Sequence, residues 1–290
     1  MTFTVPRGED IAMCRWLAYS GTPIRLEELL YKPRYSLIDQ SMHSRYGVET
    51  TNGDGFGVGW YPVDGPAAPA LFRGVGPAWS DANLREIARS TVSPLFLAHI
   101  RASTGTPVQQ TNSHPFRYEN WLWLHNGAIR DFHRLKRDLI LAVDPELYPY
   151  LAGSTDSEVM FYLALTFGLR DRPVAAVERM AGLVESVGRA YGVPQPLQMT
   201  VATTDGDRTW CFRYSSEGHS RSLYYSTDIT ALHTLYPENE RLRKLSDETR
   251  LVVSEPLADL EGAWQPVPES SYGVIQKGDD ELGRFEPAVP

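Results

Sequence analysis

The chain has 290 residues, 42% of them hydrophobic and 22% charged, an ordinary globular composition with ample length for one large α/β domain or two small ones. A net charge of −8 argues against a nucleic-acid partner, which usually calls for a basic face. Two cysteines, Cys14 and Cys211, imply no disulfide framework, and no apolar run is long enough to span a membrane. Met1–Ala12 carries Arg7, Glu9 and Asp10 and lacks the apolar stretch of a secretory signal, so a reducing, cytoplasmic setting is expected.

In chain order, Met1–Ala12 reads as a flexible polar tail and Cys14–Ser20 as a strand closed by Gly21 and Pro23. Arg25–Tyr31 has leucines at helical spacing. Phe56–Tyr61 is strand-like, and its Gly57 and Gly59 mark a close approach of another backbone or a ligand. Asp81 is an N-cap for a helix over Asp81–Arg89. Pro94–Arg101 and Trp121–His125 read as strands, the second followed by a turn at Asn126-Gly127. Gln109–Phe116 reads as a polar loop and Ile129–Val143 as a helix. Thr155 and Glu158 have capping-box spacing ahead of the apolar run Val159–Phe167, and Val174–Tyr191 is a further helix after Pro173. Beyond Pro196 the pattern turns to strands: Gln198–Thr204, Thr209–Tyr214, Ser222–Ser226, Arg250–Ser254 and Tyr272–Gln276. Gly278–Pro290 looks loose. Several strands are apolar on both faces, so the expectation is two stacked sheets covered by helices.

Four groups along this order carry chemistry. A lone cysteine is ordinarily a small buried hydrophobe, but Met13 stands directly before Cys14 as an initiator would. Were the chain to begin at Cys14, its α-amine, with a pKa of about 7.7–8.0, would serve as base for the thiol. Arg101, at the end of a strand, is either a surface cation or a planar fork for a substrate carboxylate, with Thr104 beside it. Asn126-Gly127 is either a hairpin turn or a pair of donors for an oxyanion. Asp156 either complements a helix dipole or holds a substrate ammonium, and Thr155 is the better cap. Together these meet the needs of an enzyme that cleaves the side-chain amide of glutamine or another γ-glutamyl amide. His99, His114, His125 and His133 lack metal-binding spacing, and the glycines from Gly53 to Gly59 form no nucleotide-binding loop. Neither a metal nor a cofactor is expected.

The ordered set Met13-Cys14, His99-Ile100-Arg101, Ser103-Thr104-Gly105, Asn112-Ser113-His114-Pro115-Phe116, His125-Asn126-Gly127 and Thr155-Asp156-Ser157-Glu158 resembles the class II glutamine amidotransferases. These are a branch of the N-terminal-nucleophile (Ntn) hydrolases. The likeness runs from Met13 to about Gly278. Cys14-Arg15-Trp16-Leu17, the run Asn52–Trp60 and Ser254-Glu255-Pro256-Leu257 look like the stand-alone subgroup that includes the γ-glutamyl amidohydrolase of ergothioneine biosynthesis. The resemblance implies an α/β fold of α+β type, a four-layer α-β-β-α sandwich. It also implies Cys14 as nucleophile and, through its amine, as base. Asn126 and Gly127 would form the oxyanion hole, Arg101 and Thr104 would bind the α-carboxylate, and Asp156 the α-ammonium. Asp54 and His114 match positions near the pocket without an assigned step.

The expected organisation is a leader, propeptide or mis-assigned start over 1–13, an amidotransferase domain over 14–278, and a flexible tail over 279–290. The expected partner is a small molecule, glutamine or a γ-glutamyl amide. Two alternatives stand beside a free-standing amidase: a glutaminase subunit supplying ammonia to a separate synthase, and a non-catalytic γ-glutamyl-binding regulatory module.

Overall fold

The computed structural model describes residues 14–43, 51–64, 68–103, 106–240 and 242–290. Two antiparallel sheets lie face to face with helices outside both. The first half of the chain supplies β1 (Arg15–Arg25), α1 (Glu27–Leu30), α2 (Leu37–Met42), β2 (Phe56–Tyr61), β3 (Ala70–Gly74), α3 (Ala82–Ser90), β4 (Val92–Ile100), β5 (Phe116–Tyr118), β6 (Trp121–Ile129) and α4 (Phe132–Leu141). The second half supplies α5 (Asp156–Thr166), α6 (Pro173–Ala190), β7 (Leu197–Thr204), β8 (Thr209–Ser215), β9 (Tyr224–Ser226), α7 (Ile229–Leu235), β10 (Arg250–Val253), β11 (Trp264–Pro266), β12 (Ser271–Ile275) and β13 (Glu281–Arg284). One sheet runs β11-β9-β10-β1-β4-β2-β3 and the other β13-β12-β8-β7-β6-β5.

Strand alternation sorts the side chains into layers. On β4, Phe96, Ala98 and Ile100 face α1–α3, packing with Leu29, Leu37 and Leu84. Leu95 and Leu97 point the other way and meet Leu122 and Leu124 of β6 between the sheets. On β6, Trp121 and Trp123 face the second helix layer, where they join Leu135, Phe161 and Met180. The expected four-layer α-β-β-α sandwich is therefore the observed one. Helix α5 is apolar nearly all round, as a helix enclosed between a sheet and other helices must be.

Local signals place the helix starts. Asp81 accepts from Leu84 N at 2.7 Å, and Thr155 from Glu158 N at 3.2 Å; such a cap contributes about 1 kcal/mol. The capping box at Thr155 is only half made. The Glu158 carboxylate accepts from Ala152 N and Gly153 N instead, which ties the preceding loop to the helix start.

Three expectations need correction. Asn126-Gly127 lies inside β6, paired with Thr200 and Met199 of β7, and is no turn. Turn propensity there yields to cross-strand pairing. Gly127 has φ +137°, and a Cβ on it would fall 1.9 Å from Gln198 O. The helix expected from Ile129 accordingly starts only at Phe132. The segment read as a loose tail carries β13, which pairs with β12, and it buries Phe285 against Phe212 and Tyr214. Ala288 N then bonds to Glu178 O at 2.9 Å, over Gly182, where a side chain would collide with the tail. Short elements with weak patterns, α2, α7, β3, β5 and β11, add to those read from the sequence.

Candidate active site

The polar residues singled out in the sequence converge at one end of the inter-sheet layer. Cys14 leads into β1, and its thiol accepts from Ala102 N at 3.3 Å and donates to Ala102 O at 3.4 Å. Ala102 follows Arg101 directly after β4. Burial pushes the thiol up; the Ala102 N–H and the guanidiniums of Arg101, Arg15 and Arg221 pull it back down. The carbonyl of Cys14 accepts from Asn126 Nδ2 at 2.7 Å and from Arg15 Nη1 at 3.0 Å. Arg15 is in turn fixed by an ion pair of 2.7 Å to Glu255, both side chains almost wholly buried. Removing one partner of such a pair costs about 3–5 kcal/mol, so Cys14 is seated by a stiff neighbour.

Arg101 is buried, 4% exposed, and its donors go to neutral oxygens: Asp54 O at 3.1 Å, Ser103 Oγ at 3.0 Å and Thr106 Oγ1 at 2.5 Å. Among the described residues no carboxylate lies within ion-pair distance of it. Asp54 does not pair with Arg101 directly; its carboxylate accepts from Ser103 N at 2.8 Å and holds the loop that carries the arginine's partners. A buried guanidinium facing hydroxyls and carbonyls is left to take an anion from outside. Thr104, expected beside it, lies outside the described residues.

Asp156 opens α5. Its carboxylate accepts from Ile129 N at 2.7 Å and from Ser157 N at 2.8 Å, which ties the helix start to the end of β6, two residues beyond Gly127. It is half-buried, and no cation among the described residues pairs with it. Asn126, Gly127 and Asp156 thus lie along one strand end, with Cys14 above Asn126 and Arg101 beside Cys14.

His114 packs behind this row. Its backbone oxygen lies over Gly57, where a Cβ would come within 2.2 Å, so Gly57 admits a second backbone, while Gly59 makes room for the side chains of Leu122 and Pro115. Its ring stacks on that of His99 at 4.2 Å between centroids. Several supports had no signal in the local pattern: the Ala102 backbone contact, the Arg15–Glu255 pair and the nearby Arg221. Arg15 and Glu255 lay in segments already noted, Cys14–Leu17 and Ser254–Leu257, but without a role. Among the described residues no cluster of histidine, cysteine and carboxylate groups could hold a metal, and no helix is long and apolar enough to cross a membrane.

Comparisons with known proteins agree on one family. The family model described as class II glutamine amidotransferases matches residues 35–287. A probable glutamine amidotransferase of Saccharomyces cerevisiae, DUG3, is 34% identical over 91% of this chain and 82% of its own length. The γ-glutamyl-hercynylcysteine sulfoxide hydrolase of Mycolicibacterium smegmatis is 35% identical over 40% of this chain; the match spans about half of that protein (52%). A glutamine aminotransferase class-II domain protein from Silicibacter pomeroyi superposes with a TM-score of 0.71 at 33% identity, covering 95% of this chain and all of that one (100%). The glutamine phosphoribosylpyrophosphate amidotransferase of Bacillus subtilis shares the fold at 14% identity and a TM-score of 0.64, over 95% of this chain and 50% of that one. The chain is an enzyme of the class II glutamine amidotransferase family.

Proposed function

We propose that the protein hydrolyses the side-chain amide of glutamine or of another γ-glutamyl amide through a γ-glutamyl thioester on Cys14, and that its active form begins at Cys14. The observation that carries this is the placement of Cys14, its thiol on the Ala102 backbone and its carbonyl on the Asn126 NH2. It sits beside a buried arginine and, at the far side of Gly127, a half-buried carboxylate held by backbone N–H groups, neither of which has an ion-pair partner among the described residues.

The thiol needs a base, because burial holds it protonated near neutral pH. The described polar neighbours of the sulfur are the Ala102 N–H and carbonyl, and neither is basic. A free α-amine on Cys14 meets the need. It takes the thiol proton, and the sulfur attacks the γ-carbonyl carbon. One Asn126 Nδ2 hydrogen rests on Cys14 O; the second, with the Gly127 N–H, receives the oxyanion. Collapse expels the amine, which leaves with the proton held by the α-ammonium. Water then adds to the thioester and gives its proton to the α-amine. Expulsion of the sulfur returns that proton to it and releases glutamate. Arg101 holds the α-carboxylate and Asp156 the α-ammonium, which fixes the γ-carbon over the thiol. The hydrolase named among the relatives cleaves a γ-glutamyl compound, in keeping with water as the acceptor.

Protein produced with Cys14 as its first residue should release glutamate from glutamine or a γ-glutamyl amide, and Cys14→Ala should abolish release. Rapid quench and intact mass should show a γ-glutamyl adduct that Cys14→Ala lacks. Unchanged hydrolysis in Cys14→Ala would overturn the nucleophile. Full activity in a chain whose measured mass retains Met1–Met13 would overturn the terminal amine as base.

A further inference from the structure

His99 takes no part in the steps above, yet it is fully buried and points into the layer where the reaction is placed. It lies on β4, opposite Trp16 on one side and Gly57 on the other. Its Nε2 is 3.1 Å from Asn126 Oδ1. The orientation of the Asn126 carboxamide follows from its other end. Cys14 O is only an acceptor, so the group 2.7 Å from it must be the NH2, and the oxygen must face His99. His99 Nε2 therefore carries a hydrogen and donates it. Among the described residues its Nδ1 is buried with no partner at hydrogen-bond geometry, and the ring lies tilted against that of His114.

We propose that His99 is a positioning residue: its Nε2–H holds the Asn126 carboxamide in the one orientation that turns NH2 toward Cys14 and the developing oxyanion. This rests on the reading of Asn126 as an oxyanion donor. A carboxamide free to rotate by half a turn would present an oxygen to a negative charge. The surroundings leave His99 as the group that decides. Asn126 pairs across β6 and β7 with Thr200, whose hydroxyl is taken by Trp16 Nε1 at 3.2 Å. Burial also keeps His99 neutral, with its pKa down to about 3, so the ring carries one hydrogen, and the contact with Asn126 Oδ1 places it on Nε2.

The bland alternative is a core histidine kept for packing. Two variants in the chain starting at Cys14 separate the readings. His99→Phe keeps a ring but removes the donor, and His99→Gln restores an N–H. With glutamine as substrate, His99→Phe should lower kcat about 10- to 100-fold, less than loss of the donor itself, with KM changed less than about two-fold. His99→Gln should recover most of that loss. The Asn126 side-chain NH2 signals in 15N–1H spectra should exchange with water faster in His99→Phe. Unchanged kcat, a loss carried wholly by KM, or unchanged Asn126 exchange would overturn the proposal. Should His99→Phe not fold, the imidazole 15N shifts of the unaltered protein decide: Nε2 protonated and Nδ1 bare supports the proposal, and the opposite tautomer sinks it. These spectra need no turnover. An unaltered protein that hydrolyses no γ-glutamyl amide would refute the proposed function while the NMR result still judged His99.

Discussion

Cys14 and Cys211 stand at two ends of the layer between the sheets. Cys211, on β8, is packed with Leu95, Leu97, Leu122 and Val252, and burial drives its thiol far up, with Asp280 pushing the same way. Cys14 meets burial too, but a backbone N–H and three guanidiniums act against it. The change happens within two positions along each strand: Leu97 gives way to His99 on β4, and Leu124 to Asn126 on β6. The same alternation that fills one end of the layer with methyl groups aims polar groups into the other. The lesson is that placement comes from strand register and reactivity from the dipoles and charges met there.

The largest consequence of this contrast is acid sensitivity centred on the polar end, with His125 adding to it from the helix-facing side of β6. His99, His114 and His125 are all held neutral by burial, His99 down to about 3 and His114 well below its ordinary value. An unfolded histidine titrates at about 6.5, so below that pH the unfolded chain binds protons the folded one refuses. Their stabilisation is complete above about pH 6.5 and falls as pH drops, by about 1.4 kcal/mol per pH unit for each ring. Glu158 and Glu178, pushed up by burial, act in the opposite sense nearer their own range, so pH 6.5 to 5.5 is the clean window. Urea unfolding across that window should show proton uptake on unfolding that rises from about 1.5 at pH 6.5 to about 2.7 at pH 5.5. Uptake below one proton would mean the rings are hydrated and the two ends of the layer are less different than described.

A pair of arginines sharpens the contrast next. Arg250, near Cys211, is partly exposed and pairs with Asp280 at 2.5 Å at the rim of a cavity of about 270 Å³. Arg101 is buried and has no carboxylate at ion-pair distance among the described residues. Arg101→Ala should lower kcat/KM about 100- to 1,000-fold, some 3–4 kcal/mol, mainly through KM. Arg101→Lys should not restore it, because an ammonium lacks the planar fork. Arg250→Ala should leave kcat/KM within about two-fold. Equal losses from the two would place the substrate elsewhere.

Much of this was legible from local pattern. The strand at Phe56–Tyr61, the Asp81 cap and the Thr155 start of α5 depend on residues within one turn or one strand, and all appear as read. The ordered motifs also bring Cys14, Arg101 and Asn126 to one place. What escaped depends on partners far along the chain. Asn126-Gly127 looks like a turn until β7 pairs with it. Arg15 gives no hint of Glu255, 240 residues away. The tail reads as loose because its strand is short and polar, and only β12 and the small Gly182 on α6 make a seat for it.

The smallest effect tests the apolar end alone. Cys211→Ser swaps a thiol for a hydroxyl of similar size in a seam of leucines and valines. Lacking a partner there, the hydroxyl should cost about 1–2 kcal/mol, seen as a fall of a few degrees in Tm, with kcat/KM unchanged. The same exchange at Cys14 should remove hydrolysis and leave Tm nearly where it was, since that side chain is only partly buried and already among polar groups. The neighbouring cavity supplies the counter-argument, because it is large enough to hold water that could satisfy a hydroxyl. If Cys211→Ser costs nothing, that water is present and the apolar end is wet. The low reactivity of Cys211 would then rest on the charge of Asp280, which also neutralises the nearby Arg250, rather than on dryness. A measurable cost would show that exclusion of water separates the two thiols.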